Sequence, residues 1–301
     1  MFWASGALNT GASSYEFNSS LSIEKFKKIN CRMTQTAFDF DQAIALQDLG
    51  AGRYSGSTHS AWMNMVGPFG GITAAVLLQA VMQHPDRLGN PVSFTVNFCA
   101  CVADGAFEVA AKPARTNRST QHWTIELTQG QHVVITATAV TAVRRTTFSS
   151  IEHHMPAVMA ANQLPRSEPP KLPWTQRYDM RALTGHLPTV WDGTEGDTLT
   201  QMWVRDAQER SVDFVSLTAL ADSFFPRVYL RRRTFVPIGT VSMTVYFHAD
   251  AAELATLGSN FILGQAKAQC FFNGFFDHSA QLWSGAGTLL ATTHQVGYFK
   301  E

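Results

Sequence analysis

The sequence predicts an α+β chain in which one unit, an apolar helix wrapped by a curved antiparallel sheet, is used twice. Three observations lead there: a proline-rich divide near the middle of the 301 residues, a nine-residue strand pattern that recurs on either side of it, and an apolar, helix-length run ahead of each copy. A hydrophobic share of 45% against 15% charged residues is enough apolar material for a sizeable core and for two domains of ordinary size.

Residues 1–37 come first, with Ser, Asn and Gly dominating positions 4 to 20, and are expected to be a mobile leader with no packing role. They lack the apolar stretch of a signal peptide, and nowhere do 18 apolar residues run without a charge, so neither export nor a membrane span is expected. The first unit, 38–147, places a helix from Gly67-Pro-Phe-Gly-Gly71 through Leu77 to Met82, stopped by Pro85. Val92 to Ala100 then alternates, with Val92, Phe94, Val96 and Phe98 on one face and Ser93, Thr95 and Asn97 on the other, the period of a half-buried strand. Strand-like runs at Phe107 to Ala111, Trp123 to Thr128 and Val133 to Val143 follow.

Five of the twelve prolines fall between Pro156 and Pro173, which marks 148–176 as a linker. The second unit, 177–301, repeats the plan. A run from about Val212 to Phe224 is apolar on most of its surface, and a helix of that kind has to be buried. Val241-Ser-Met-Thr-Val-Tyr-Phe-His-Ala249 matches Val92 to Ala100 at six of nine positions. Ile262 to Phe272, Asp277 to Trp283 and Thr288 to Tyr298 read as strands, with Ser284-Gly-Ala-Gly287 as a hairpin turn. Two such units on one chain are expected to pack as a fused homodimer would.

Charge narrows the partners. Lys plus Arg (23) balances Asp plus Glu (23), so no overall field favours nucleic acid or an anionic membrane, and an anionic ligand must meet local charge. Arg227, Arg231, Arg232 and Arg233 form the densest basic cluster, and Arg115 and Arg118 a smaller one; both read as loops that either bind phosphates or are simply solvated. Cys31, Cys99, Cys101 and Cys270 are too scattered for a disulfide framework, which fits reduced thiols in a cytoplasmic protein. Cys99 and Cys101, on one strand face, read as packing residues because no ligand set accompanies them, and His153-His154 as solvated polar sequence. The absence of a Gly-x-Ser-x-Gly elbow argues against an α/β-hydrolase, and no P-loop or dinucleotide fingerprint occurs.

Five words in order carry a likeness: Asn64-Met-Val-Gly-Pro-Phe-Gly-Gly71, Val92 to Ala100, Arg118-Ser-Thr-Gln-His-Trp123, Pro237-Ile-Gly-Thr-Val-Ser-Met-Thr-Val-Tyr-Phe-His248 and Ala291-Thr-Thr-His-Gln-Val296. Over Phe38 to Lys300 the chain resembles the type II acyl-CoA thioesterases, proteins of double hotdog fold. The resemblance implies hydrolysis of fatty acyl-CoA without a covalent intermediate or a cofactor, and a place in fatty acid metabolism. It also implies a catalytic Asp near the end of the second helix, a Thr at the start of the next strand and a Gln on the last strand. Matched by motif, these are Asp222, Thr240 and Gln295.

The repeat bears on the same residues without the family. In the aligned first half Pro91 stands for Thr240 and Ala139 for Gln295, so the polar pair exists in one half only. Asp222 is the one carboxylate between Phe214 and Pro226, where burial is costly unless the group is bonded or used. Singly, each has a bland account: a helix-closing Asp, a strand-capping Thr, a satisfied core amide. Water attack on a thioester also needs donors for the carbonyl oxygen, and Gly70 and Gly71, at a helix start where a ligand can approach the backbone, are the candidates. The substrate-binding set expected is therefore Gly70, Gly71, Arg118, Arg231 and Arg232. The alternatives are a non-catalytic acyl-CoA-binding module and a hotdog hydratase, the latter disfavoured because no His follows Asp222 at the needed spacing. Assembly into a homo-oligomer is compatible with all three.

Overall fold

The computed structural model describes residues 37–168 and 170–301. The leader and Cys31 lie outside the described residues, as does Pro169. After a short helix α1 (Asp39–Ala43), the first half runs β1 (Gln47–Gly50), β2 (Arg53–Ser57), α2 (Gly70–Met82), β3 (Asn90–Phe98), β4 (Ala106–Thr116), β5 (Thr120–Gln129) and β6 (His132–Ala142). The second runs β7 (Tyr178–Thr184), β8 (Thr200–Asp206), α3 (Phe214–Ala221), α4 (Arg227–Arg232), β9 (Ile238–Phe247), α5 (Ala251–Leu257), β10 (Ile262–Lys267), β11 (Phe271–Phe272), β12 (Phe275–Ser284) and β13 (Leu289–Phe299).

All strands join one antiparallel sheet in the order β1-β2-β4-β5-β6-β3-β9-β13-β12-β10-β8-β7, with β11 paired to β12 beside this path. The order is a palindrome about the β3–β9 pair: β6 mirrors β13, β5 mirrors β12 and β4 mirrors β10. Register shows the same symmetry, because Thr95 opposes Thr244, its own counterpart in the repeat, while Ser93 opposes Tyr246 and Asn97 opposes Ser242. The two threonine hydroxyls meet at 3.0 Å. An interface in which each element meets its own copy is that of a two-fold dimer, here within one chain. This is the double hotdog architecture: α2 and α3 lie side by side, each also packed on the sheet of its own half, and one hydrophobic cluster runs through both halves.

Several expectations are corrected. The second helix is shorter than its apolar run, ending at Ala221 with Asp222 as its C-cap, because the N–H groups of Asp222 and Ser223 turn back onto Ala219 and Leu220. The arginine cluster is not a loop: Arg227 to Arg232 form α4, and Arg227 is fully buried. The linker also packs, since Met155, Val158, Ala161 and Leu164 cover the Trp203, Leu263 and Trp283 cluster. His153 and His154 are exposed, as expected, and the His153 ring stacks on Trp283 at 5.6 Å. Cys99 and Cys101 lie beyond the end of β3 and are exposed, so they are not a packed pair on a strand face.

Candidate active site

Asp222 owes its place to two helix ends. It caps the C-terminus of α3, and the antiparallel packing of α2 and α3 brings it to the N-terminus of α2, where its carboxylate faces the backbone N–H of Gly71 and lies against Gly70. A helix N-terminus is where negative charge is best tolerated. Both glycines are explained by closeness. A Cβ on Gly70 would stand 2.8 Å from Asp222 Oδ2, and one on Gly71 would stand 2.7 Å from the Ala219 carbonyl oxygen and press on the Phe69 ring.

Gln295 reaches the same carboxylate from β13, its Nε2 donating to Asp222 Oδ1 at 2.8 Å and lying 3.3 Å from Met243 Sδ. The amide nitrogen is thereby spent, leaving the carbonyl oxygen as the acceptor Gln295 offers. Thr240 arrives by a β-bulge. Ser242 pairs with Val296 and Thr240 with Gly297, so Val241 is the extra residue; the bulge turns Val241 outward and re-aims Thr240 to the helix side. The first half carries the same bulge, Val92 being extra between Ser93 and Pro91. Its counterpart residues are apolar, since Pro91 stands for Thr240 and Ala139 opposes Phe94 as Gln295 opposes Met243.

These groups line a chamber of about 30 Å³ together with Phe224, Pro226, Ile238, Gly239, Phe276, His278 and Gly297. That is room for about one or two waters. Protein crowds the Asp222 carboxylate while the residue keeps a face on this space. Burial pushes its pKa up from 3.8 to about 7, against the bonds from Gln295 and Gly71 that lower it. A carboxylate poised near neutrality suits a general base.

The three residues expected from the sequence meet here: Asp222 and Gln295 are in direct contact, and Thr240 lines the same chamber. Gly70 and Gly71 are also at the site, but the Gly71 N–H faces the Asp222 carboxylate. Of the arginines, Arg231 pairs with Glu195 at 2.6 Å, Arg232 pairs with Glu301, and Arg118 is exposed in the turn between β4 and β5. Arg227 is spent inside the fold, donating to the Thr198 carbonyl at 2.9 Å and the Thr200 hydroxyl at 2.6 Å, and burial lowers its pKa to about 9. His278 was not anticipated. Its only sequence signal is a lone histidine at an inward position of β12, directly opposite Gln295. Among the described residues no group of three or more His, Cys, Asp or Glu is placed to hold a metal ion, and no helix is long and apolar enough to cross a membrane.

Two family models match the chain in tandem, the acyl-CoA thioesterase N-terminal domain over residues 59–142 and the acyl-CoA thioesterase C-terminal domain over 155–299. A hot dog fold protein of unknown function from Alicyclobacillus acidocaldarius is 45% identical, with a TM-score of 0.82 over 87% of this chain and 98% of that one. A putative thioesterase II from Thermobifida fusca is 19% identical, with a TM-score of 0.74 over 87% and 97%. The acyl-CoA thioesterase II TesB2 of Mycobacterium marinum is 15% identical, with a TM-score of 0.69 over 87% and 98%. The last two show likeness of fold. No curated protein matches.

Proposed function

The chain belongs to the acyl-CoA thioesterase family, and on that premise we propose that it hydrolyses acyl-CoA to the free acid and CoA by direct attack of a water held by Asp222, Thr240 and Gln295. The observation that carries this reading is the convergence of the three residues on a chamber of water size, with Asp222 poised near neutrality. One proton of the water points to Asp222 and the other to the Gln295 carbonyl oxygen, while the Thr240 hydroxyl fixes the approach. As the water oxygen bonds to the thioester carbon, its proton passes to Asp222. The C–S bond then breaks, and that proton goes to the departing thiolate of CoA. No cofactor enters the scheme.

A chamber this small does not admit an acyl chain, so the chain enters as side chains at its rim, Phe224 and Phe276 foremost, swing aside. CoA phosphates are taken by Arg118, Arg231 and Arg232, the last two exchanging exposed carboxylate partners for phosphate. Surface pairs of that kind contribute at most about 1 kcal/mol and give way readily.

The test is thiol release from acyl-CoAs of graded chain length by wild type, Thr240→Ala, Gln295→Ala and the double variant. The expected result is turnover by wild type, losses of about 10- to 100-fold for each single variant, and a double variant scarcely worse than the poorer single, because one water is shared. Acyl-CoA binding without turnover at any chain length would leave a binding module in place of the enzyme.

A further inference from the structure

Hydrolysis by the Asp222, Thr240 and Gln295 water leaves one charge unprovided for. Attack on a thioester drives negative charge onto the carbonyl oxygen, and an enzyme needs a donor aimed at it. The Gly71 N–H, in the expected position, faces the Asp222 carboxylate, and the Gln295 amide nitrogen is bonded to Asp222. A donor not yet spent has to be found on the chamber wall.

His278 lies on that wall, 3% exposed and directly across the ladder from Gln295. Its Nε2 is buried with no hydrogen-bond partner among the described residues. A buried polar nitrogen left unpaired is destabilising by roughly 1–3 kcal/mol, and among the described residues the seven other buried side-chain atoms in that state all lie off the chamber wall. The neighbours offer it nothing else. Phe224 meets the ring edge-on at 6.2 Å, and the Arg227 guanidinium is committed to Thr198, Thr200 and Phe225. The first half supplies a control. There Trp123 opposes Ala139 as His278 opposes Gln295, and its indole Nε1 is satisfied by the Thr141 hydroxyl at 3.2 Å. The half without the polar trio therefore closes this position with a satisfied aromatic ring, and the half with the trio leaves an unsatisfied imidazole.

We propose that His278 is a further catalytic residue, a neutral imidazole whose ring N–H donates a hydrogen bond to the thioester carbonyl oxygen as charge develops there. It keeps its proton throughout and is neither acid nor base. Burial and the positive charge of Arg227 push its pKa down to about 3, so the ring is uncharged wherever Asp222 is ionised.

This inference rests on the proposed hydrolysis, and one experiment separates the two. Steady-state kinetics on the acyl-CoA that wild type turns over best are compared for wild type, Asp222→Asn, His278→Phe and His278→Gln, with His278→Leu and His278→Asn as a second matched pair where the first pair yields no folded protein. Phe and Leu keep bulk and remove the donor, whereas Gln and Asn restore an N–H. The expected result is a fall in kcat of about 10²- to 10³-fold for the apolar variant with KM within about threefold. The amide variant should recover at least about tenfold of that loss, and both should keep the wild-type acid limb of the pH profile, since Asp222 supplies it. An apolar variant with kcat within about threefold of wild type, or an amide variant no better than the apolar one, overturns the assignment of His278 even where Asp222→Asn is inactive. A wild type that turns over no acyl-CoA overturns both readings.

Discussion

At the scale of single residues, Asp222 carries a cost that can be measured. Its carboxyl binds a proton more tightly in the folded protein, with a pKa of about 7 against 3.8 ordinarily, so the stability linked to its protonated form is full below about pH 4 and is lost as pH climbs through about 7. Asparagine keeps an oxygen for Gln295 and does not titrate. Asp222→Asn should therefore gain stability relative to wild type as pH rises from about 4 to about 8, read as a widening gap in denaturation midpoint, and a gap independent of pH would deny the carboxylate its buried setting. The two glycines separate function from stability in the same way. Alanine at position 70 pushes on Asp222 Oδ2, and alanine at 71 pushes on a carbonyl of the neighbouring helix. Gly70→Ala is expected to lower kcat by about tenfold or more with its thermal midpoint nearly intact, because small displacements of a base are costly to catalysis. Gly71→Ala is expected to cost about 1–3 kcal/mol of stability, measured by chemical denaturation, because packed helices must part.

At the scale of elements, α4 shows where a pattern in the sequence misleads. Four arginines within seven residues read as one basic patch, yet Arg227 points inward to close hydrogen bonds on Thr198 and Thr200 while Arg231 and Arg232 face out. Helical geometry, which the run of charges obscures, sorts them. If the outer pair meets CoA phosphates, replacing both with alanine should raise KM roughly tenfold, leave kcat unchanged and flatten the dependence of KM on salt. Equal loss in kcat would instead tie α4 to the chemistry. The bulge in β9 was partly legible: Thr240 and Pro91 align in the repeat, but that a bulged Val241 turns Thr240 toward the helices is a matter of register, and one chain read alone carries no register. β1, β2, β7 and β8 went without assignment because they are short or flank the irregular stretch around residues 185–199, with little hydrophobic alternation to mark them.

At the scale of the whole molecule, the matched strands that reveal the duplication also build it, since β3 and β9 are the pair through which the halves join and Thr95 meets Thr244 near the pseudo-two-fold axis. The duplication was readable because the repeat preserves both residues and spacing. The division of labour is readable only in part: polar groups in the second half against apolar counterparts in the first identify the half that carries the Asp222, Thr240 and Gln295 chamber, whereas the contribution of the first half, the α2 terminus facing Asp222, depends on helices packing across the join. The site is thus built from both halves, and the proposed hydrolysis turns on one ionisation. The most direct measurement is the rate of thiol release from acyl-CoA by wild type and Asp222→Asn across about pH 5 to about pH 9. A base at Asp222 predicts a wild-type rate that rises tenfold per pH unit below an inflection near 7 and then levels, and an asparagine variant slower by about 10²- to 10⁴-fold with that inflection gone. An asparagine variant that keeps both the rate and the inflection would contradict it.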